Sequence, residues 1–150
     1  MKKEILTRCG YRCDLCPVYY KNISNIDKQK LSKGYLKYFY SQISPEEIKS
    51  CKGCFDEGEK DCPVRSCVFD KRIDNCAHCP DFGCDKLKTK MNIIEDNIKD
   101  VSSLSEEDYN LFVRSYASKE RLSKIRNLNK KSIKMKLKIN IGYILHCLIL

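Results

Sequence analysis

Apolar residues recur every three or four positions in three stretches of the chain, which is the spacing of one buried face of an α-helix. The first stretch predicts a helix from about Asp27 to Tyr40, whose aromatic side chains are interpreted as core residues. The second begins after Cys84, and the third follows Ser105 and predicts a helix that ends near Asn127. The residues that carry these patterns are Leu31, Tyr35, Tyr38 and Phe39; Leu87, Met91, Ile94 and Ile98; and Tyr109, Phe112, Val113 and Tyr116.

Polar residues mark the points where two helices are expected to begin. Ser44 is followed at once by Pro45 and three residues later by Glu47, a combination typical of a helix N-terminus. We therefore expect a short helix that leads to Cys51. Ser105 is followed by three acidic residues, which are favoured in the first turn because the N-terminus of a helix is electrically positive.

Two further stretches lack helical spacing. Between Cys54 and Cys84 no apolar period is recognisable, and glycine and proline residues interrupt the chain, so a loop is expected there. From Ile133 to Ile141 apolar and polar residues alternate, which favours a strand. The last residues, Ile141 to Leu150, are apolar but too few to span a bilayer, which needs about 20, so no transmembrane segment is expected.

Cysteine content changes this picture, because the chain of 150 residues contains 11 cysteines. Charged residues lie close to the N-terminus and leave no apolar stretch of signal-peptide length, so we expect a cytoplasmic protein. Thiols stay reduced in that compartment, which favours metal or redox chemistry over disulfide bonds. The sequence thus predicts a small, metal-stabilised, mainly α-helical domain with little strand, in which two or three amphipathic helices pack cysteine-rich loops.

The spacing of the cysteines is that of metal ligands. Two cysteines separated by two residues can direct both sulfurs to one point, and a second such pair completes a tetrahedral site. In Cys51-x-Gly53-Cys54 the glycine lets the backbone turn its N–H groups toward the sulfurs. We predict two four-cysteine sites, with Cys9 and Cys62 as less certain ligands and His78 outside the ligand sphere. The predicted ligands are Cys13, Cys16, Cys51 and Cys54 for one site, and Cys67, Cys76, Cys79 and Cys84 for the other.

Zinc is the metal that this donor set favours, with two ions per chain and a structural role as an interaction module. An iron–sulfur cluster for electron transfer is the first alternative, and a thiol-based metal carrier is the second. The spacing Cys9-x3-Cys13-x2-Cys16 also occurs in radical S-adenosylmethionine enzymes, but these need a strand–helix barrel that the sequence does not predict. Four thiolates leave no open coordination position, and no nucleophile or phosphate-loop motif is present, so a role without catalysis is favoured.

Charge is concentrated near the C-terminus. The formal net charge is +9, and nine of the 29 basic residues lie within residues 119–138, where Glu120 is the one acidic residue. We therefore expect a cysteine-rich domain over residues 1–127 and a tail over residues 128–150 that is basic and then apolar. The basic segment makes nucleic acid or an anionic membrane surface a possible partner, beside a protein partner of unknown kind.

Five motifs can be compared with known families: Cys9-Gly10-x2-Cys13-x2-Cys16-Pro17-Val18-Tyr19; Cys51-x-Gly53-Cys54; Cys62-x4-Cys67; Cys76-x2-Cys79-Pro80-Asp81-Phe82-Gly83-Cys84; and Phe112-x2-Ser115-Tyr116-x2-Lys119-x-Arg121-Leu122. As a set they resemble a prokaryotic family of small cysteine-rich proteins, the domain of unknown function 3795. The resemblance runs from about Cys9 to Asn127 and implies a small zinc-binding protein without an established activity. Gly83 stands where proline is common, and the stretch from about Leu128 onward is unlike the family.

Overall fold

The computed structural model describes residues 3–54 and 62–147. These residues form a mainly helical structure, which confirms the predicted fold class, and the two pairings of strand type among them are the isolated bridges Leu6–Arg12 and Tyr19–Cys51. The α-helices are α1 (Asn25–Phe39), α2 (Pro63–Asp70), α3 (Asp85–Met91), α4 (Ile93–Asn97), α5 (Glu106–Phe112) and α6 (Ser118–Cys147), and 3₁₀ turns lie at Cys13–Leu15, Cys76–His78 and Val101–Ser103.

Helix α1 forms where its apolar spacing predicts it. The side chain of Ser24 caps its N-terminus by accepting a hydrogen bond from the Asp27 N–H at 3.1 Å. The helix ends at Tyr40, which adopts a left-handed conformation with φ of 51°. Leu31 is fully buried on the inner face. The predicted core role is confirmed for Tyr35, Tyr38 and Phe39, which pack against one hydrophobic cluster, and is wrong for Tyr40, which is 85% exposed.

Phe112 lies at the centre of that cluster. The rings of Tyr38, Tyr35 and Phe39 have centroids 5.4, 6.1 and 6.2 Å from its own. Such tilted and edge-to-face arrangements are the favoured geometries for aromatic pairs. Gly34 of α1 lies directly against the Phe112 ring, because a Cβ atom added to this glycine would be 1.9 Å from Phe112 Cζ. The absence of a side chain at Gly34 therefore lets α1 and α5 approach closely.

The apolar stripe that begins at Leu87 is confirmed, but it belongs to two helices rather than one. The helix is interrupted at Asn92, which lies between α3 and α4. Leu87 packs into one hydrophobic cluster, and Ile94 and Ile98 pack into the cluster around Phe112. The break thus lets a single sequence pattern serve two separate cores.

The helix expected after Ser44 is wrong, although its capping interactions form. The Ser44 N–H donates to the Glu47 carboxylate at 2.8 Å, and the Glu47 N–H donates to the Ser44 carbonyl at 3.1 Å. The segment forms a turn and does not continue as a helix. Soon after it, the Cys51 N–H donates to the Val18 carbonyl at 2.7 Å, which holds the chain extended beside the first cysteine loop.

The loop expected between Cys54 and Cys84 is also partly wrong, because α2 occupies part of it. Pro63 stands at the first position of this helix, where its missing N–H costs nothing. Val64 and Val68, one turn apart, are both buried. Two apolar residues make too short a pattern to identify from sequence, whereas burial in a core is enough to stabilise two helical turns.

The C-terminal part differs most from the sequence-based expectation. The helix that starts after Ser105 ends at Phe112, and a new helix, α6, starts at Ser118 and runs through the predicted strand to Cys147. Lysine, leucine and methionine are good helix formers, and no proline or glycine interrupts the chain before Gly142, so helical propensity outweighs the alternating pattern. Helix α6 crosses the expected boundary at residue 127. Across residues 3–54 and 62–147, no helix has both the length and the apolar character that crossing a membrane requires.

The contact between Gly34 and Phe112 predicts that Gly34→Ala destabilises the protein by about 1–3 kcal/mol, because the added methyl group overpacks the core more than it gains in helical propensity. Urea-induced unfolding followed by circular dichroism measures this change. Lys33→Ala, an exposed neighbour on the same helix, is the control and should leave stability nearly unchanged. A Gly34→Ala protein at least as stable as the wild type would show that α1 and α5 do not pack this closely.

Candidate metal centre

The first cysteine loop is held by a network around Asp14. The Asp14 carboxylate accepts hydrogen bonds from the Ile5 N–H at 2.9 Å and from Arg12 Nε at 2.7 Å. The Cys13 N–H donates to the Ile5 carbonyl at 2.9 Å, and Gly10 takes a φ of +90°, which favours glycine. The loop is therefore rigidly positioned although it contains only one 3₁₀ turn. Cys13 is buried in it.

Four cysteines predicted as ligands of one site lie near each other at this loop. The negative charges of Cys16 and Cys51 act on the Cys13 thiol, and the Cys54 N–H donates a hydrogen bond to the Cys13 sulfur. Burial is the largest cause that raises the pKa of the Cys16 thiol, and the charge of Cys51 raises it further. We refer to Cys13, Cys16, Cys51 and Cys54 as the first cysteine group.

Backbone N–H groups point at the sulfurs of this group. The Gly53 N–H donates to Cys51 Sγ at 3.3 Å, and Gly53 has a φ of +86°. The hydrogen-bonding geometry expected for the Cys51-x-Gly53-Cys54 motif is thus present. The Tyr116 hydroxyl lies 3.8 Å from Cys16 Sγ. Such donors stabilise a thiolate in a buried place, so the loop is suited to carry negatively charged sulfur.

The other four predicted ligands line one small cavity of about 10 Å³. Helix α2 supplies Cys67, and the 3₁₀ turn supplies Cys76. Asn75 caps that turn by accepting a hydrogen bond from the Ala77 N–H at 2.9 Å. Cys79 and Cys84 complete the set, and Gly83, next to Cys84, has a φ of +87°. We refer to Cys67, Cys76, Cys79 and Cys84 as the second cysteine group.

Burial raises the pKa of thiols in both groups. It is the largest cause in each case, and repulsion between neighbouring thiolates adds to it. The pKa of Cys13 rises to about 11, and those of Cys54 and Cys76 rise to about 12. Without a cation, these three cysteines are therefore neutral thiols at physiological pH.

Cys9 and Cys62 lie between the two groups. They are 4% and 3% exposed and belong to the same hydrophobic cluster as Cys76. The Thr7 hydroxyl lies 3.4 Å from Cys9 Sγ. The charge of Cys9 acts on Cys54 of the first group and on Cys76 of the second. The sequence assigned neither cysteine to one of the two sets of four, and in the structure both lie between the two groups.

His78 is exposed and turns toward α6. Its Nδ1 atom lies 3.1 Å from Asn129 Nδ2. Among the described residues, no three or more histidine, cysteine, aspartate or glutamate side chains are arranged so that they could hold a metal ion. The structure thus places the members of each predicted set in one neighbourhood, while their pairing into metal sites stays a prediction.

Helix α6 holds the backbone of both cysteine loops, which sequence analysis did not foresee. Arg121 Nη1 donates to the Gly10 carbonyl at 2.9 Å in the first loop. Arg126 Nη1 donates to the Ala77 and Cys79 carbonyls at 3.1 and 2.6 Å in the second loop. These contacts join residues that are between 47 and 111 positions apart, so no local pattern could have indicated them.

The two loops also contact each other directly through Arg8. The Cys76 N–H donates to the Arg8 carbonyl at 2.9 Å, and Arg8 Nη1 donates to the Asp74 carbonyl at 2.6 Å. The side chain of Lys71 lies beside the second cysteine group. Its Nζ atom is 3.4 Å from Cys79 Sγ and 2.7 Å from the Asp81 carboxylate. Positive charge is therefore already in place next to this group.

Comparison with known families identifies one match. The model of a family described as "Protein of unknown function (DUF3795)" matches residues 5–89. The matched stretch contains both cysteine groups together with Cys9 and Cys62, and it ends before α4, α5 and α6. No curated protein and no solved structure matches this chain.

The network around Asp14 predicts that Asp14→Asn lowers stability at neutral pH by about 1–2 kcal/mol. The Arg12 hydrogen bonds lower the Asp14 pKa to about 2 from a usual value of 3.8, so the ionised carboxylate contributes stability above about pH 4 that is lost as the pH falls toward 2. Urea unfolding at pH 7 measures the loss. Asp85→Asn is the control, since that carboxylate is fully solvated although it lies 3.0 Å from Lys88 Nζ. Equal stability of the two variants would contradict the role given to Asp14.

Proposed function

The chain belongs to the DUF3795 family of proteins of unknown function, and we propose that it is a small zinc-binding protein in which two four-cysteine sites hold the loops in a fixed shape. The observation that carries this proposal is that Cys67, Cys76, Cys79 and Cys84 all line one small cavity of about 10 Å³. Zinc in structural sites takes four ligands in a tetrahedron, and four thiolates are among its preferred sets.

Charge compensation supports a tetrathiolate site at the second group. One zinc ion with four thiolates carries a net charge of 2−, which is costly in a buried place unless cations or hydrogen-bond donors lie nearby. Lys71 lies beside Cys79 Sγ, and Arg126 holds the Cys79 carbonyl. Both side chains would remain next to the site after zinc replaced the thiol protons, Lys71 with the Asp81 carboxylate as its second partner.

The first group offers hydrogen-bond donors in place of cations. N–H groups of Gly53, Cys54 and Val18 and the hydroxyl of Tyr116 reach three of its four sulfurs. Because the Cys13 and Cys54 thiols are protonated at neutral pH, zinc binding would release protons, and the affinity would rise with pH.

We propose a structural role for the zinc rather than catalysis. Four protein ligands would leave no position for water, so the ion could not act as a Lewis acid. The loops that it fixes form the platform on which α6 lies, and a partner would meet loops and helix together. Of the basic residues on α6, Arg121, Arg126 and Lys119 already bind within the protein. Lys124, Lys130 and Lys131 are exposed and would face a polyanionic partner, nucleic acid or membrane.

The ligand assignment predicts a ranking among the cysteines. Cys54→Ser and Cys79→Ser should each lose about one metal equivalent per chain, because each breaks one set of four thiolates. Cys9→Ser and Cys62→Ser should lose less, since four thiolates already close each site. Native mass spectrometry of the purified variants counts the bound ions. A full equivalent lost from Cys9→Ser but none from Cys13→Ser would overturn the assignment.

The structural role predicts that the fold depends on metal. Removing metal with a chelator under reducing conditions should abolish the cooperative thermal transition and lower the helix content, because structural zinc contributes on the order of 10 kcal/mol per site, comparable to the whole stability of a small domain. Circular dichroism before chelation, after chelation and after zinc is restored measures this. A metal-free protein that keeps its helices and melts cooperatively would refute a structural role and favour the carrier alternative.

A further inference from the structure

A cavity of about 280 Å³ lies between α1, α4 and α5, apart from the second cysteine group. Its walls come from Tyr35 and Phe39 of α1, Ile94 of α4, and Leu111 and Phe112 of α5, and Tyr116 also lines it. We propose that this cavity binds a small, uncharged aromatic molecule. Binding of such a molecule goes beyond the proposed zinc binding, although the cavity adjoins the first cysteine group through Tyr116, whose hydroxyl lies 3.8 Å from Cys16 Sγ.

The size of the cavity argues for a ligand. A volume of about 280 Å³ is close to the lower end of typical ligand sites, which begin at roughly 300 Å³. The cavity is partly open to solvent, so a small molecule can enter it. A molecule of one or two rings would cover the apolar walls and remove them from water, which is favourable.

The chemistry of the walls selects the class of ligand. Every described residue that lines the cavity is uncharged, and most are aromatic or aliphatic. A charged ligand would lose its hydration without gaining a counter-ion, so a neutral molecule is favoured. The rings of Tyr35 and Phe112 are already 6.1 Å apart at an interplanar angle of 73°, a geometry that a further ring can extend. Ser41 also lines the cavity, and its hydroxyl group can orient a ligand with one polar atom.

Indole is a suitable probe, because it is neutral and bicyclic and because the chain contains no tryptophan whose signal would overlap with it. The experiment uses the full-length, metal-loaded protein with isotope-labelled isoleucine methyl groups. Indole should shift the methyl signals of Ile43 and Ile94, which line the cavity, through the ring current of the bound ligand. The signal of Ile73, which packs against the other hydrophobic cluster, should stay in place. Indole-3-carboxylate, which has the same rings and a negative charge, should bind at least about tenfold more weakly.

A cavity-filling variant gives an independent test. Leu111→Phe places a ring in the cavity and should weaken indole binding at least about tenfold while the protein remains folded. Leu128→Phe is the matched control, since Leu128 is 59% exposed on α6 and does not line the cavity. Unchanged methyl signals in the wild-type protein at millimolar indole would overturn the proposal. So would equal shifts at Ile73 and Ile94, or equal binding of the carboxylate. The wild-type titration stands by itself if Leu111→Phe does not fold.

Discussion

The hydrogen bonds between α6 and the two cysteine loops are the interaction on which the rest of the structure depends. The loops have little regular secondary structure, so many of their carbonyl groups lack the partners that a helix or sheet would supply. Arg121 and Arg126 provide those partners, one for each loop. Leu122 lies against the first loop so closely that a Cβ atom on Gly10 would be 2.6 Å from Leu122 Cγ. The part of α6 that carries these three residues thus packs against the cysteine loops.

Metal binding would act together with this helix. The loops bury thiols whose raised pKa values keep them neutral, and a neutral thiol contributes little beyond its hydrophobic surface. Zinc would replace the thiol protons with four strong bonds at each site. These bonds would fix the positions of the sulfurs and of the nearby carbonyl groups to which Arg121 and Arg126 of α6 donate hydrogen bonds. Arg8 joins the two loops directly, so both proposed sites would lie in one continuous network of hydrogen bonds.

Local sequence patterns predicted those parts of the fold that local interactions determine. The spacing of Leu31 and Tyr35 indicated α1, and Ser105 indicated the start of α5, where its side chain accepts a hydrogen bond from the Asp108 N–H. Local patterns did not predict the structure correctly where contacts between distant residues determine it. The third apolar pattern continues past Phe112, but α5 ends there, because the Ser115 carbonyl instead accepts hydrogen bonds from Arg12 and Arg121 of other segments. The alternating residues after Ile133 suggested a strand, yet no neighbouring strand exists among the described residues to pair with it.

For the candidate site, cysteine spacing indicated which cysteines share a loop, since residues close in sequence must lie close in space. Their assignment to two metal sites stays a prediction. Cysteine spacing could not place Cys9 and Cys62, whose position between the groups depends on the packing of Cys76 and Leu87 in one hydrophobic cluster. The sequence also did not indicate that Lys71 and Arg126 lie next to Cys79. Only the folded chain brings their charges to that loop.

X-ray absorption at the metal edge, on protein purified without oxygen, tests the central claim most directly, because it identifies the metal and counts its sulfur ligands. Two zinc ions per chain, each with four sulfur neighbours at about 2.3 Å, are the predicted result. Iron with short iron–iron distances, or zinc bound through oxygen or nitrogen with fewer than four sulfurs, would contradict it.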